Sequence, residues 1–145
     1  MIACGEIRLA EASELAARLA ILHEGITRVI AQHEPSEAAV EAPFHGVSAR
    51  SALLLAHARG VILASLGTSN VPVHEYSPAT IKKAVTGSGR ADKLQVESMV
   101  SRLVPGDGPR GRPDVADAVA AALCHLFAVG MADALRRAKV ATTRR

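Results

Sequence analysis

Aromatic side chains are scarce in this chain of 145 residues, which has two phenylalanines, one tyrosine and no tryptophan. Hydrophobic residues nevertheless make up 49% of it, so a core has to be built from Ala, Leu, Val and Ile. Such a core suits helices packed on a sheet. A chain of this length fits one domain, which would bury roughly 68% of the surface exposed by the unfolded chain.

Cysteine and long apolar runs are also sparse. Cys4 and Cys124 lie far apart without a CxxC pair, which argues against a disulfide framework or a zinc site and fits a reducing cytoplasm. No basic segment leads into an apolar one at the N-terminus, so no signal peptide is expected. The most apolar stretch, 118–131, falls short of the ~20 residues that span a membrane. It predicts a buried helix in a cytoplasmic protein.

The charge balance is mildly basic, with 17 Lys and Arg against 14 Asp and Glu and a net charge of +3. This is compatible with a polyanionic partner but is not diagnostic of one. Solvated surfaces and a frayed tail would explain the basic residues equally well. These residues form three groups: Lys82, Lys83, Arg90 and Lys93; Arg110 and Arg112; and Arg136, Arg137, Lys139, Arg144 and Arg145.

Hydrophobic periodicity in the first part of the chain predicts strand, helix and strand. Residues 2–9 alternate like a half-buried strand. A helix capped by Ser13 should end near His33, because a proline follows at position 35. The apolar run at 38–41 predicts a buried strand that stops at Glu41.

The remaining pattern predicts a helix, a strand and three more helices. One helix opens at Ser48 or Ser51, runs to about Leu66 and is closed by Gly67. A strand follows at 71–76. The last three helices are predicted at 79–85 with Pro78 at the first position, from Ala91 or Asp92 onward, and from Pro113 to about Val140. This order is typical of an α/β layer protein.

Three carboxylates stand at the ends of predicted elements. Glu41 closes a strand, and Asp114 and Asp117 share one face in the first turn of a helix. A solvated strand end and an acidic turn at the positive end of the helix dipole would explain them without any site. Two carboxylates this close repel unless a cation lies between them. Hard oxygen ligands suit Mg²⁺ or Mn²⁺, and a pair of such ions can clamp a phosphodiester displacement.

Other motifs are weaker. The six histidines show no HExxH spacing and no pairing with cysteine, which favours structural roles for them. The segment from Gly87 to Gly89 lacks the rest of a phosphate-binding loop and joins two helices. No GxSxG elbow supports a hydrolase triad.

Several motifs occur in order along the chain. They are AVEAPF at 39–44, SAL at 51–53 with ARGV at 58–61, PVHEYSP at 72–78, IKKAVTGSGRADK at 81–93, and DVADA at 114–118 with ALCH at 122–125. Together they resemble the RuvC family of crossover junction endodeoxyribonucleases. The resemblance implies a ribonuclease-H-like α/β fold, a mixed sheet flanked by helices. It also implies a nuclease domain at 1–125, followed by a helical extension and basic tail at 126–145.

The resemblance also implies a set of site residues. Glu41, Asp114 and Asp117 would be catalytic and bind Mg²⁺ or Mn²⁺, two ions per subunit, with Asp114 favoured as the direct ligand of the helix pair. Phe44 would stack at the opened junction centre. Basic side chains would approach DNA phosphates near the cut; these are Lys82, Lys83, Arg90 and Lys93.

The implied activity is symmetric, Mg²⁺-dependent cleavage of Holliday junctions in DNA recombination and repair. A homodimer would carry it out, with the helix from Ser51 to about Leu66 at the interface. Four-way junction DNA and the RuvA–RuvB branch-migration complex would be its partners. Two alternatives stay open: a junction-binding protein with impaired catalysis, and a nuclease of the same fold that acts on another branched substrate.

One departure from the family pattern concerns the N-terminus. Family members begin with a strand bearing Asp-Pro-Gly and a hairpin strand, whereas this sequence starts at what corresponds to the third strand. No equivalent of that first metal-binding aspartate precedes Glu41. We therefore expect a sheet without the first two family strands, an incomplete carboxylate set, and further N-terminal residues in the natural gene product.

Overall fold

The computed structural model describes residues 1–9, 14–43, 48–104 and 112–143, with side chains as far as 132 and at 134. The chain forms two compact units. One unit is Gly5–Ser77, and the other combines Met1–Cys4 with Pro78–Arg145. Each unit has a hydrophobic core of its own.

The unit Gly5–Ser77 contains two helices and a small parallel sheet. Its elements are α1 (Leu15–His33), β1 (Ala38–Glu41), α2 (Ala49–Thr68) and β2 (Val73–Tyr76). β1 and β2 pair in parallel from Ala38 opposite Val73 to Glu41 opposite Tyr76. Parallel strands need a long crossover connection, and α2 supplies it. α1 packs against α2, and α2 also contacts β2.

Polar contacts fix the ends and the packing of these helices. The Ser48 hydroxyl accepts a hydrogen bond from the Ser51 amide at 3.3 Å and caps α2. Ser65 is fully buried and donates to the Val61 carbonyl at 2.9 Å. His23 Nδ1 lies 2.8 Å from the same hydroxyl oxygen, so one serine links α1 to α2. Buried apolar side chains complete this core; they are Leu22, Leu66 and Val71.

The second unit is a packed group of three helices, each in contact with the other two. They are α3 (Pro78–Thr86), α4 (Lys93–Leu103) and α5 (Pro113–Thr143). Asp92 begins α4 with a capping box: its carboxylate accepts from the Gln95 amide at 2.9 Å, and the Gln95 side chain accepts from the Asp92 amide at 3.0 Å. Small and β-branched residues fill the core, namely Ile81, Val85, Ala91, Val96, Val100, Val115, Ala116, Ala120, Ala121 and Cys124.

The predicted strand at 2–9 is wrong, because these residues have no regular secondary structure. The only sheet within the described residues is the β1–β2 pair, so residues 2–9 have no neighbouring ladder to join. Gly5 further weakens any strand preference. Ile7 instead packs over Gly25 of α1, where an added Cβ would lie 2.8 Å from the Ile7 Cδ1 atom.

Most other boundaries follow the predictions, with small differences. β1, α3 and the end of α1 at His33 are confirmed to within a residue. α1 begins after Glu14, whose side chain makes no cap, and Ser13 lies outside the described residues. α2 continues through Gly67 to Thr68. β2 begins at Val73 because Pro72, just before it, cannot donate to a ladder.

The prediction of a buried helix at 118–131 holds only for its first half. The side chains of Ala120, Ala121 and Cys124 are buried, whereas Leu126 and Met131 are exposed. Two segments, Ala49–Thr68 and Pro113–Ala132, are apolar and long enough to cross a membrane by length and composition alone. Core helices of soluble proteins meet the same criterion, and α5 packs against α3 and α4.

Both cysteines are free thiols, as their spacing predicts. Cys4 is exposed and Cys124 is buried on α5. Burial raises the pKa of the Cys124 thiol because the thiolate would lose its hydration. Cys124 therefore serves as a small apolar residue of the core.

Candidate functional site

Glu41 is the last residue of β1, and it is exposed. The strand forms because Ala38, Ala39 and Val40 are half-buried apolar residues paired with β2. The ladder continues one residue past Glu41, where the Ala42 amide donates to the Tyr76 carbonyl at 2.8 Å. The backbone of Glu41 is therefore held in place by the strand pairing. It lies at the carboxyl end of the strands, the edge at which functional residues of α/β sheets are usually found.

Arg59 of α2 lies at the same edge of the sheet. Its Nη1 donates to the Glu41 carbonyl at 2.7 Å, and its Nη2 forms a salt bridge with the carboxylate of Glu75 on β2. Only 18% of the Arg59 side chain is exposed, against 49% for Glu75. One guanidinium therefore joins α2, β1 and β2 beside Glu41.

Asp114 and Asp117 lie on the exposed side of α5, close to its start at Pro113. The buried residues between them, Val115 and Ala116, hold this end of the helix in the core. The two carboxylates therefore point away from the core and toward solvent, as their spacing predicts.

A lysine stands beside this pair. Lys93, the first residue of α4, places its Nζ atom 3.5 Å from Oδ2 of Asp117. Both side chains are about half exposed, so solvent screens the pair and its contribution to stability is small. The contact nevertheless places a positive charge beside Asp117, which offsets part of the repulsion between neighbouring carboxylates.

The other predicted DNA-binding residues surround the turn from α3 to α4. Lys82 is half-buried on α3, and Lys83 in the last turn of that helix and Arg90 in the turn are exposed. Local hydrogen bonds order this turn: the Thr86 hydroxyl donates to the Lys82 carbonyl at 2.8 Å and accepts from the Ser88 amide at 3.2 Å. Gly87 has a φ of 82°, which favours glycine.

The structure thus places Lys93 beside Asp117 in one unit, and Arg59 beside the Glu41 backbone in the other. The convergence of Glu41 with the two aspartates stays a prediction. Phe44 lies outside the described residues.

The donor chemistry fits a divalent cation of the Mg²⁺ type. Glu41, Asp114 and Asp117 offer exposed carboxylate oxygens, the ligands that Mg²⁺ and Mn²⁺ prefer, and exposure leaves room for the water that Mg²⁺ retains. Two histidines have identifiable structural contacts: His23 with Ser65, and His74 Nε2 with Glu37 Oε2 at 3.6 Å.

Arg59 is the functional candidate that the sequence reasoning did not single out. It lies inside the quoted ARGV motif, and it is a charged residue in an otherwise apolar stretch of α2. That position was a usable signal, because a charged side chain in such a place needs a partner. Nothing in the sequence identifies the partner as the Glu41 carbonyl.

Comparisons with known proteins agree with the motifs. A family model described as "Crossover junction endodeoxyribonuclease RuvC" matches residues 1–125. A protein of that name from Zymomonas mobilis is 50% identical over 124 residues, which cover 86% of this chain and 74% of the relative. One from Azorhizobium caulinodans is 44% identical over 137 residues, covering 94% and 80%.

Solved structures match as well. The Thermus thermophilus RuvC structure superposes with a TM-score of 0.77 at 29% identity, covering 87% of this chain and 76% of that one. The structure of T. thermophilus RuvC in complex with a Holliday junction substrate superposes with a TM-score of 0.79 at the same identity and coverage. The predicted ribonuclease-H-like α/β fold is thereby confirmed.

Proposed function

This chain belongs to the RuvC family of crossover junction endodeoxyribonucleases, and on that premise we propose that it resolves Holliday junctions by hydrolysing DNA phosphodiesters. It is a hydrolase of the nuclease class with roles in recombination and repair. The observation that carries the proposal is the match of the family model over residues 1–125. The exposed carboxylates of Glu41, Asp114 and Asp117 lie inside this region and support it.

The family depends on divalent metal, and we assign its ligation to Glu41, Asp114 and Asp117, with Mg²⁺ or Mn²⁺ as the ions. Two bound metal ions would supply an activated water and stabilise the negative charge that develops on the phosphate. Asp114 is favoured as a direct ligand, because within the described part of the chain the ion pair with Lys93 involves Asp117. Lys93 would release Asp117 when a DNA phosphate or a cation competes for either partner.

Basic residues around the α3–α4 turn would position the DNA. Lysine and arginine contacts to phosphates do not depend on sequence, which suits an enzyme that recognises a four-way shape. We assign this contact to Lys82, Lys83, Arg90 and Lys93. Phe44 would stack on bases at the junction centre.

Two symmetric cuts require two active sites, so the proposed enzyme is a homodimer. Leu53, Leu54 and Leu55 of α2 are all exposed, and contiguous exposed leucines of this kind are typical of an interface. We further propose a cytoplasmic location, cooperation with the RuvA–RuvB complex, and a division into a nuclease domain at 1–125 and a helical extension at 126–145.

Selective action on four-way DNA is the direct test of this function. We expect the protein to bind a synthetic four-way junction more tightly than a linear duplex of the same length and sequence. We also expect symmetric nicks on addition of Mg²⁺ or Mn²⁺. Gel-shift titration and denaturing gels with each strand labelled in turn measure the two properties. Equal affinity for duplex and junction would contradict the proposal.

The salt dependence of binding tests the basic surface. Replacing Lys82, Lys83 and Arg90 together by alanine should reduce the slope of log K against log salt concentration by about 2 to 3, since each phosphate contact contributes about 0.9. The control is a triple alanine variant of exposed arginines in the other unit, namely Arg8, Arg28 and Arg50. This control lowers the net charge by the same amount as the first variant, and it should keep most of the original slope of log K against log salt concentration. Equal slopes for the two variants would show that the α3–α4 surface makes no special contact.

A further inference from the structure

Two anchors hold the peptide group that follows Glu41. Its carbonyl oxygen accepts from Arg59 Nη1 at 2.7 Å, and the Ala42 amide on the same peptide donates to the Tyr76 carbonyl at 2.8 Å. In a planar trans peptide the oxygen and the hydrogen point in opposite directions, so the anchors act from opposite sides. Together they fix the backbone rotation that sets the direction of the Glu41 side chain.

The strand pairing explains why an arginine stands here. The amides of Ala38 and Ala42 donate to β2, and in a parallel ladder alternate residues of a strand face the same neighbour. The backbone of Glu41 therefore faces away from β2, and its carbonyl bonds to a side chain from α2. Arg59 donates to this carbonyl at the exposed end of the strand, and most of the rest of its side chain is buried.

Glu75 holds the arginine in place. Arg59 uses one nitrogen for the Glu41 carbonyl and the other for the Glu75 carboxylate. Glu75 lies on β2 opposite Val40, so the ion pair and the backbone hydrogen bond link neighbouring positions of both strands. The planar fork of arginine serves both partners at once, which the single ammonium of lysine does less well.

We propose that Arg59, held by Glu75, is a positioning residue that sets the direction of the Glu41 carboxylate for metal binding. This inference rests on the proposed function, since it takes Glu41 as a metal ligand. Mutation of a group that orients a metal ligand without touching the metal typically lowers metal affinity or activity by about 10- to 100-fold. Arg59 acts through the Glu41 backbone and has no contact with DNA or metal in this role.

Mn²⁺ affinity of the full chain tests the role without relying on cleavage. We expect Arg59→Lys to raise the dissociation constant for Mn²⁺, measured by electron paramagnetic resonance titration, by about 10-fold. Its thermal midpoint should stay within a few degrees of the original, since a mostly buried positive charge is kept. Arg50→Lys, an exposed arginine on the same helix, is the matched control and should bind Mn²⁺ normally. Unchanged affinity in Arg59→Lys would overturn the inference.

Two further variants separate positioning from general stability. Glu75→Gln should weaken Mn²⁺ binding less than Arg59→Lys, because the bond to the Glu41 carbonyl can remain. Arg59→Ala should regain Mn²⁺ binding when guanidinium is added well below denaturing concentrations. A lower thermal midpoint with no such regain would mean that Arg59 is merely structural.

Glu41→Gln tests the proposed metal site separately from the positioning role of Arg59. If this variant binds Mn²⁺ like the original chain, Glu41 is no ligand and the metal site assigned under the proposed function fails. If it loses Mn²⁺ while Arg59→Lys keeps it, the site stands and only the positioning role of Arg59 is wrong.

Discussion

Replacing Glu41 by glutamine should lower the rate of metal-dependent junction cleavage by at least about 100-fold, because metal catalysis contributes several kcal/mol and each 1.36 kcal/mol is tenfold in rate. Glutamine keeps the size of the side chain and one oxygen but removes the negative charge. β1 should form unchanged, since its pairing uses backbone groups and the apolar residues before Glu41. Junction affinity without metal should therefore change little.

The chain offers a matched control for this substitution. Glu37 precedes β1 by one residue and is also exposed, with its carboxylate 3.6 Å from His74. Glu37→Gln makes the same chemical change four positions upstream, and we expect nearly full activity. Both variants lose one negative charge, so a difference in activity between them reports on the position of that charge.

Cleavage should be measured under single-turnover conditions, so that binding and product release do not mask the chemical step. Undiminished cleavage by Glu41→Gln would remove Glu41 from the site.

The sequence predicted the elements that bear the carboxylates because their signals are local. An apolar run ending in Glu41 and a proline–aspartate helix start at 113–114 need only neighbouring residues to be recognised. Both elements form where the pattern placed them. The same locality explains the correct prediction that Asp114 and Asp117 share an exposed face.

Features that depend on contacts between residues far apart in the sequence could not be predicted from local patterns. Residues 2–9 have strand-like alternation, but a strand exists only beside another strand, and none adjoins them among the described elements. The bond from Arg59 to the Glu41 carbonyl joins residues 18 positions apart. The approach of Lys93 to Asp117 likewise depends on how α4 packs against α5.

α4 shows the limit of periodicity within a single helix. Helical spacing predicts a single apolar face for it, made up of Leu94, Val96, Met99, Val100 and Leu103. In the structure Val100 is fully buried, whereas Leu94 is 76% exposed. Periodicity identifies a broad apolar face, but the packing against α3 and α5 decides which of its residues become core.

Val100→Asp should therefore be the most destabilising single change considered, lowering the free energy of unfolding by more than about 4 kcal/mol. A buried, unpaired carboxylate loses its hydration without compensation, and a domain has only about 5–15 kcal/mol to lose. Val100→Ala, which leaves a small cavity, should cost about 2 kcal/mol. Chemical denaturation followed by circular dichroism measures both changes.

Leu94→Asp is the decisive comparison, because it places the same charge on the same helix. Leu94 is exposed and lies in the first turn of α4, where a carboxylate interacts favourably with the helix dipole. The free energy of unfolding should change by less than about 0.5 kcal/mol, as for most surface substitutions. Comparable losses of unfolding free energy in Leu94→Asp and Val100→Asp would mean that α4 does not pack through Val100. The packing of α3, α4 and α5 described above would then be wrong.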